Sequence, residues 1–343
     1  MRCYIVPPHI MTHLANRQAD TDYKNRLFGS LDIDRANRDG RLRSVITPPA
    51  ISATGAAPNR SVYDAGHTQN LPGNKKRAEG QAATGDTEVD TSYDWLGVTF
   101  DFYLKIFQRN SIDGAGLELI SSVHYGRDYD NAFWDGGQMV YGDGDGRLFV
   151  EFTRSLDVTG HELTHGITQY TANLDYQGQS GALNESMSDV FGVLIKQYHL
   201  NQTADEADWL IGADLLGPDV TGVALRSMKA PGTAYDDDQL GKDPQPATMD
   251  GYVRTDEDNG GVHINSGIPN KAFYLAATGI GGYAWEKAGK VWYDTLTGGK
   301  LGSTADFSTF AGATIDTARD LYGDSSDEVN AVRGAWDGVG VSV

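Results

Sequence analysis

The sequence has one cysteine, Cys3, so no disulfide can form within the chain, and cysteine usage gives no sign of an oxidising compartment. It has no apolar run long enough to span a bilayer. Near the start, Ile5 to Met11 is interrupted by Pro7, Pro8 and His9, which leaves no apolar stretch for a secretory signal. The expectation is synthesis in the cytoplasm, with any release by a non-classical route. Positive charge is scarce: 28 Lys and Arg stand against 47 Asp and Glu, for a net charge of −19. Such a chain is repelled by nucleic acid and by anionic membranes, so neither is an expected partner. An acidic surface is compatible with a monomer.

The charge is unevenly spread. Residues 1–50 carry eight Lys/Arg and five Asp/Glu, a balance of +3, which leaves −22 for the rest. A basic leader on an acidic body suggests that the two touch, although a surface bias without contact would look the same. The 343 residues are 39% hydrophobic and 22% charged, the composition of a globular chain with more than one structural unit.

Residues 1–46 read as a small separate unit, with an amphipathic helix over His13 to Leu27 and a turn at Asp39-Gly40. Thr47 to Pro58 is uncharged and rich in Pro, Ala, Gly and Thr, as an exposed linker and cleavage site would be. Residues 60–155 alternate β-like runs (Leu117 to Tyr125, Gln138 to Tyr141, Arg147 to Phe152) with turns. Gly142 to Gly146 could be a calcium loop or a glycine-rich hairpin; the carboxylates of an EF-hand do not follow it, which favours the hairpin. From Leu156 onward the texture is helical. Helices are predicted over Asp157 to Ala172, Ala182 to Tyr198, Asn270 to Ala277, Ala284 to Leu296 and Thr304 to Tyr322. A β-rich half followed by a helical half makes the fold class α+β.

The strongest chemical signal is His161-Glu162-Leu163-Thr164-His165. On a helix, residues four apart share a face, so the two imidazoles can grip one Zn²⁺. Glu162 sits one step off that row, placed to take a proton from an attacking water. A catalytic zinc wants a third protein ligand and an open position. Glu185, on the next predicted helix, can supply the ligand. Asp189, one turn further on, can accept the free N–H of a ligand histidine. In Asp258-Asn259-Gly260-Gly261-Val262-His263 the glycines allow a tight turn that aims His263 into a cleft, with Asp258 near enough to orient it; a buried structural histidine would show the same pattern. A zinc-stabilised binding module without catalysis is the rival reading. Structural sites usually have four protein ligands, whereas here there are three and a base.

These residues, together with Ser122 to Tyr125, Asn131 to Gly146, Gly181 to Gly192, Leu225 to Met228 and Asp258 to Gly267, resemble the thermolysin family of zinc metallopeptidases over roughly residues 95–340. The resemblance implies a two-domain α+β fold with the zinc in the cleft between a β-rich half (residues 51–155) and a helical half (residues 156–343). It implies His161, His165 and Glu185 as zinc ligands and Glu162 as general base. Tyr176 and His263 would stabilise the oxyanion, with Asp258 orienting His263. Asn131, the Ala132 carbonyl and Arg226 would hold the substrate backbone, Arg226 by forking onto a carbonyl. Phe149, Phe152, Val158, Ile211 and Leu225 would line the pocket after the scissile bond, giving cleavage of proteins and peptides before bulky hydrophobic residues. The leader, with its Val6-Pro7-Pro8-His9-Ile10 motif, is similar to that of the protealysin-like branch. Residues 1–50 would then be an inhibitory propeptide, removed by self-cleavage between about Val45 and Asn59, and an intact chain would be latent. The family's double calcium site is expected to be absent, because Lys196, Leu210 and Ala213 stand where carboxylates would be, and Lys196 can neutralise Asp157 and Asp208. The Cys3 thiolate could occupy the open zinc position, or be a plain N-terminal thiol.

Overall fold

The computed structural model describes residues 3–17, 24, 31 and 55–343. Near the start, β1 (Cys3–Tyr4) leads into α1 (Pro8–Arg17). The helix begins at Pro8, not His13 as the apolar spacing suggested. Proline suits a first helical position, where its missing N–H costs nothing. The turn at Asp39-Gly40 and the linker before Gly55 lie outside the described residues.

Six strands form one sheet in the order β1-β5-β6-β4-β2-β3, where β2 is Arg60–Asp64, β3 Asn74–Ala78, β4 Leu119–Val123, β5 Ala132–Trp134 and β6 Met139–Tyr141. β2, β4 and β6 run parallel, so their carboxyl ends emerge along the same edge. β1 is added from the leader, antiparallel to β5, with Cys3 opposite Trp134 and Tyr4 opposite Phe133. Arg147 to Phe152, expected as a strand, forms only an isolated bridge from Phe149 to Leu216 before a short 3₁₀ turn. Gly142 to Gly146 is irregular and leads into a bend, not a hairpin: the Asp145 carboxylate accepts the backbone N–H groups of Arg147 and Leu148, and this local bonding replaces a ladder.

The β-like reading of residues 60–155 also missed a helix of 21 residues, α2 (Thr87–Phe107). Its start is well marked: the Asp86 side chain accepts the Val89 N–H, and Glu88 and Asp90 favour its positive end. β-branched and aromatic residues such as Val89, Thr99, Phe100 and Tyr103 disguise it, because they are buried against the sheet and the following helices.

α3 (Leu156–Tyr170) and α4 (Gly178–Leu200) are buried along nearly their whole length. Gly160 and Gly192 let them approach closely. A Cβ on Gly192 would lie 2.4 Å from the Asp157 carbonyl oxygen, closer than any non-bonded contact allows. Gly192→Ala is therefore expected to push α3 and α4 apart and cost about 1–3 kcal/mol in chemical denaturation. An unchanged midpoint would mean that the helices separate freely. Beyond them come α5 (Asp258–Asn265) and then α6 (Gly267–Ile280), α7 (Ala288–Thr297), α8 (Phe307–Tyr322) and α9 (Asp327–Gly338), the last four meeting at Trp292 and Trp336, whose rings stack 6.1 Å apart. The sheet with α2, followed by this helical half, is the expected α+β arrangement. Ile5, Val6, Ile10, Met11 and Leu14 of the leader belong to the same continuous core.

Candidate metal centre and active site

α3 carries His161 and His165 one turn apart, and α4 brings Glu185 to them. The Nε2 atoms of the two histidines are 3.0 Å apart. Each is 3.5 Å from an oxygen of Glu185. Four-coordinate zinc with bonds of about 2.0–2.1 Å holds neighbouring ligand atoms roughly 3.3 Å apart, so the three donors fit such an ion as they stand. All three side chains are buried, and Glu185 Oε2 accepts no hydrogen bond, as expected of an atom meant for a cation.

The outer partners fix the tautomers. His161 Nδ1 lies 2.7 Å from Asp189 Oδ1, and a carboxylate only accepts, so Nδ1 donates and Nε2 keeps its lone pair for metal. His165 Nδ1 is 2.8 Å from Asn184 Oδ1. The Asn184 amide cannot be reversed, because its nitrogen donates to the Leu174 carbonyl. Asn184 was missed in the sequence, although it directly precedes Glu185; nothing in its spacing separates it from an ordinary helix asparagine. Asp189 is fully buried. Burial alone would raise its carboxyl, but the Arg226 charge and the His161 bond outweigh that and hold it well below the usual range. Asn270 Nδ2 donates to the same carboxylate at 2.8 Å.

Glu162 lies one residue beyond His161, and its Oε2 accepts the Trp134 N–H at 2.9 Å, tying α3 to β5. On the facing side, α5 begins with a kink: Asn259, Gly260 and Gly261 all have φ between 54° and 82°, a conformation that glycine adopts freely. The kink curls Asp258 back, so that Asp258 Oδ1 accepts from His263 Nδ1 at 2.7 Å and Oδ2 accepts the His263 N–H at 2.9 Å. Burial works against a charged His263, yet Asp258 and Glu185 outweigh it and raise its affinity for a proton. Tyr176 donates to Glu185 Oε1, and its hydroxyl is 3.2 Å from His263 Nε2.

The leader runs through this cleft. Ile5 N–H donates to the Ala132 carbonyl at 3.2 Å. Val6 N–H donates to Asn131 Oδ1 at 3.0 Å, and Asn131 Nδ2 to the Val6 carbonyl at 3.3 Å. Arg226 donates one N–H to the Ile5 carbonyl at 3.0 Å, and His263 Nε2 is 3.2 Å from the Tyr4 carbonyl. The forked bond expected of Arg226 goes elsewhere, because Nε and one terminal nitrogen clasp Asp189 at 2.9 and 2.8 Å. A buried guanidinium needs a carboxylate more than a carbonyl does. Phe149, Phe152, Val158, Ile211 and Leu225 are all buried in the core that also holds Ile5 and Val6. The Cys3 backbone belongs to β1; the expectation for its thiol concerns a side chain outside what is described.

Away from the cleft, Lys196 Nζ reaches Asp157 at 3.1 Å, Asp208 at 3.0 Å and the Leu210 carbonyl at 3.3 Å. Burial works against its charge, and the two carboxylates more than restore it. No helix among the described residues is long and apolar enough to cross a membrane.

Two family descriptions match in tandem: "Thermolysin metallopeptidase, catalytic domain" over residues 52–169, and "Thermolysin metallopeptidase, alpha-helical domain" over residues 172–341. An extracellular metalloprotease of Pectobacterium carotovorum subsp. carotovorum is 59% identical over 285 residues, spanning 83% of this chain and 82% of that one. Protease PrtS of Photorhabdus sp. (strain Az29) is 46% identical over 346 residues, 99% of this chain and 92% of that one. The solved precursor of protealysin, a metalloproteinase from Serratia proteamaculans, superposes with a TM-score of 0.90 at 51% identity, covering 99% of this chain and all of that one. With both parts of the chain matched and a histidine–histidine–glutamate centre between them, the chain belongs to the thermolysin family of zinc metallopeptidases, on its protealysin-like branch, and is a metalloendopeptidase.

Proposed function

We propose that this chain is a latent precursor whose residues 1 to about 50 are a propeptide, followed by the β-rich and helical parts of the enzyme, and that it frees itself by cutting its own leader. One observation carries the reading: every backbone-binding group expected to hold a substrate holds the leader instead. Asn131, the Ala132 carbonyl and Arg226 take the backbone of Ile5 and Val6, and His263, expected at the oxyanion, faces the Tyr4 carbonyl. A strand bonded in this way excludes any other peptide.

In the freed enzyme, His161, His165 and Glu185 would hold zinc, which supplies Lewis-acid polarisation of the peptide carbonyl and of the attacking water. Glu162 takes the proton of that water and passes it to the leaving amine. Tyr176 and His263 donate to the oxygen as it gains charge, with Asp258 keeping the imidazole aimed and protonated. Asp189 and Asn184 hold the two ligand histidines. Phe149, Phe152, Val158, Ile211 and Leu225 give the pocket after the scissile bond an apolar lining that admits large hydrophobic side chains and excludes charged ones. Intact mass followed over time at neutral pH tests the precursor reading. Loss of about fifty N-terminal residues, blocked by a zinc chelator, is the expected result. A mass that stays constant would refute self-cleavage. A cleavage map of an unfolded protein tests the pocket: cuts without a bulky hydrophobic residue on the carboxyl side would refute it.

We further propose that Lys196 replaces the family's double calcium site. Its ammonium already neutralises Asp157 and Asp208, and a divalent ion placed there would repel it. A calcium chelator should leave the melting temperature unchanged. Lys196→Ala should cost about 2 kcal/mol, by leaving the fully buried Asp157 without its cation. A melting temperature that climbs with added calcium would overturn the reading.

A further inference from the structure

A second set of metal-ligating side chains gathers where three parallel strands end. β2, β4 and β6 lie side by side in the sheet. His67, His124 and Asp143 follow their carboxyl ends by three, one and two residues. His124 Nδ1 is 3.0 Å from both oxygens of Asp143, and His67 Nδ1 is 3.3 Å from one of them. The three donor atoms lie within 4.8 Å of one another. The backbone joins the two histidines directly, His67 N–H donating to the His124 carbonyl at 2.8 Å. Both residues sit in left-handed backbone, with φ of 56° and 53°, a conformation that non-glycine residues take up at a cost.

The far side of His124 provides an independent observation. Its Nε2 is 3.3 Å from Asp86 Oδ2, while the other Asp86 oxygen caps α2. A carboxylate only accepts, so Asp86 holds a proton on Nε2 and Asp143 another on Nδ1; a divalent ion taken up between His124 and Asp143 displaces the Nδ1 proton, while Asp86 keeps the ring oriented through Nε2. This is the relation of Asp189 to His161 at the catalytic centre, built again from a different helix end. Asp86, Glu88 and Asp143 surround the imidazole with negative charge.

We propose that His67, His124 and Asp143 form a second binding site for one divalent ion of the zinc class, separate from the catalytic centre, with Asp86 orienting His124. Two imidazole nitrogens and one carboxylate select zinc or its neighbours in the first transition row over calcium or magnesium, which want oxygen alone. Bound there, the ion clamps the loops that follow three adjacent strands.

The test starts from the full-length chain carrying one equivalent of zinc, titrated with further Zn²⁺ by calorimetry, with bound metal counted after dialysis. The expected result is a second equivalent whose affinity drops at least about tenfold in His67→Ala and in Asp143→Asn, while the first equivalent stays. His67 is largely exposed on a turn, so its replacement leaves the fold in place, and it decides the matter if Asp143→Asn folds poorly. Either of two results would overturn the proposal: no second equivalent in the unaltered chain, or a second equivalent that His67→Ala does not weaken.

Discussion

Glu162→Gln is expected to lower kcat by about 10²–10⁴-fold while zinc content stays at one equivalent at the catalytic centre. The amide keeps the shape of the carboxylate and can still accept the Trp134 N–H, which anchors Oε2 at 2.9 Å. What it loses is the ability to accept a proton from water. The general-base step is therefore removed without disturbing His161, His165 or Glu185. Steady-state assay of a leader-free preparation, together with metal analysis, separates the two effects. A fall in kcat that tracks a loss of zinc would move Glu162 from proton transfer to metal retention. Under the proposed self-cleavage, the same substitution in the full chain should leave its mass constant, because removal of the leader would use the same base.

The second large effect concerns acid. His9, on α1, has Nδ1 enclosed with no hydrogen-bond partner, and its Nε2 is 3.1 Å from the Tyr235 hydroxyl. Burial lowers its pKa to about 4; Asp258 pulls the other way, while His263, Arg226 and His13 add to the lowering. Once the leader leaves the cleft, the same imidazole returns to an ordinary value near 6.5. Between about pH 4 and 6.5 the docked leader therefore binds fewer protons than the released one. Docking is fully supported above that window, weakens as pH falls through it and levels off below it. The span corresponds to on the order of 3 kcal/mol, or roughly a hundredfold in the docking equilibrium. Hydrogen-exchange protection of residues 3–17, measured in the Glu162→Gln chain at pH 7 and pH 4, should fall by that order. His9→Phe keeps a ring in place without a titrating group, so its protection should be much flatter with pH. An equally steep loss in His9→Phe would put the acid sensitivity in Asp258 and its neighbours instead.

How much of this could be read from the sequence follows from the range of each interaction. The two histidines of the candidate metal cluster are legible because four-residue spacing on a helix is local, and because few other uses require His, Glu and His in that order. Asp189 could be read for the same reason, one turn beyond Glu185. Asn184 could not, since its role depends on where the Leu174 carbonyl lies. α2 was hidden because its residues are chosen for packing against a sheet, and that preference overrides helix propensity. Arg147 to Phe152 looked like a strand for the opposite reason: its apolar residues are buried by tertiary packing without a partner ladder. The leader was recognised as a unit from its composition and the uncharged stretch after it. Its course through the cleft rests on backbone bonds from Tyr4, Ile5 and Val6, and backbone groups carry no residue signature.

The added strand β1 has a consequence for concentration. While the leader is part of the chain, it competes for the β5 edge at the millimolar effective concentration typical of a tethered segment, and no soluble peptide at ordinary levels can displace it. If the tether is cut as proposed, the same strand becomes a free inhibitor whose occupancy falls with every dilution. On the proposed activation, a crowded solution of newly cleaved enzyme would stay quiet, and activity would rise as the molecules spread out.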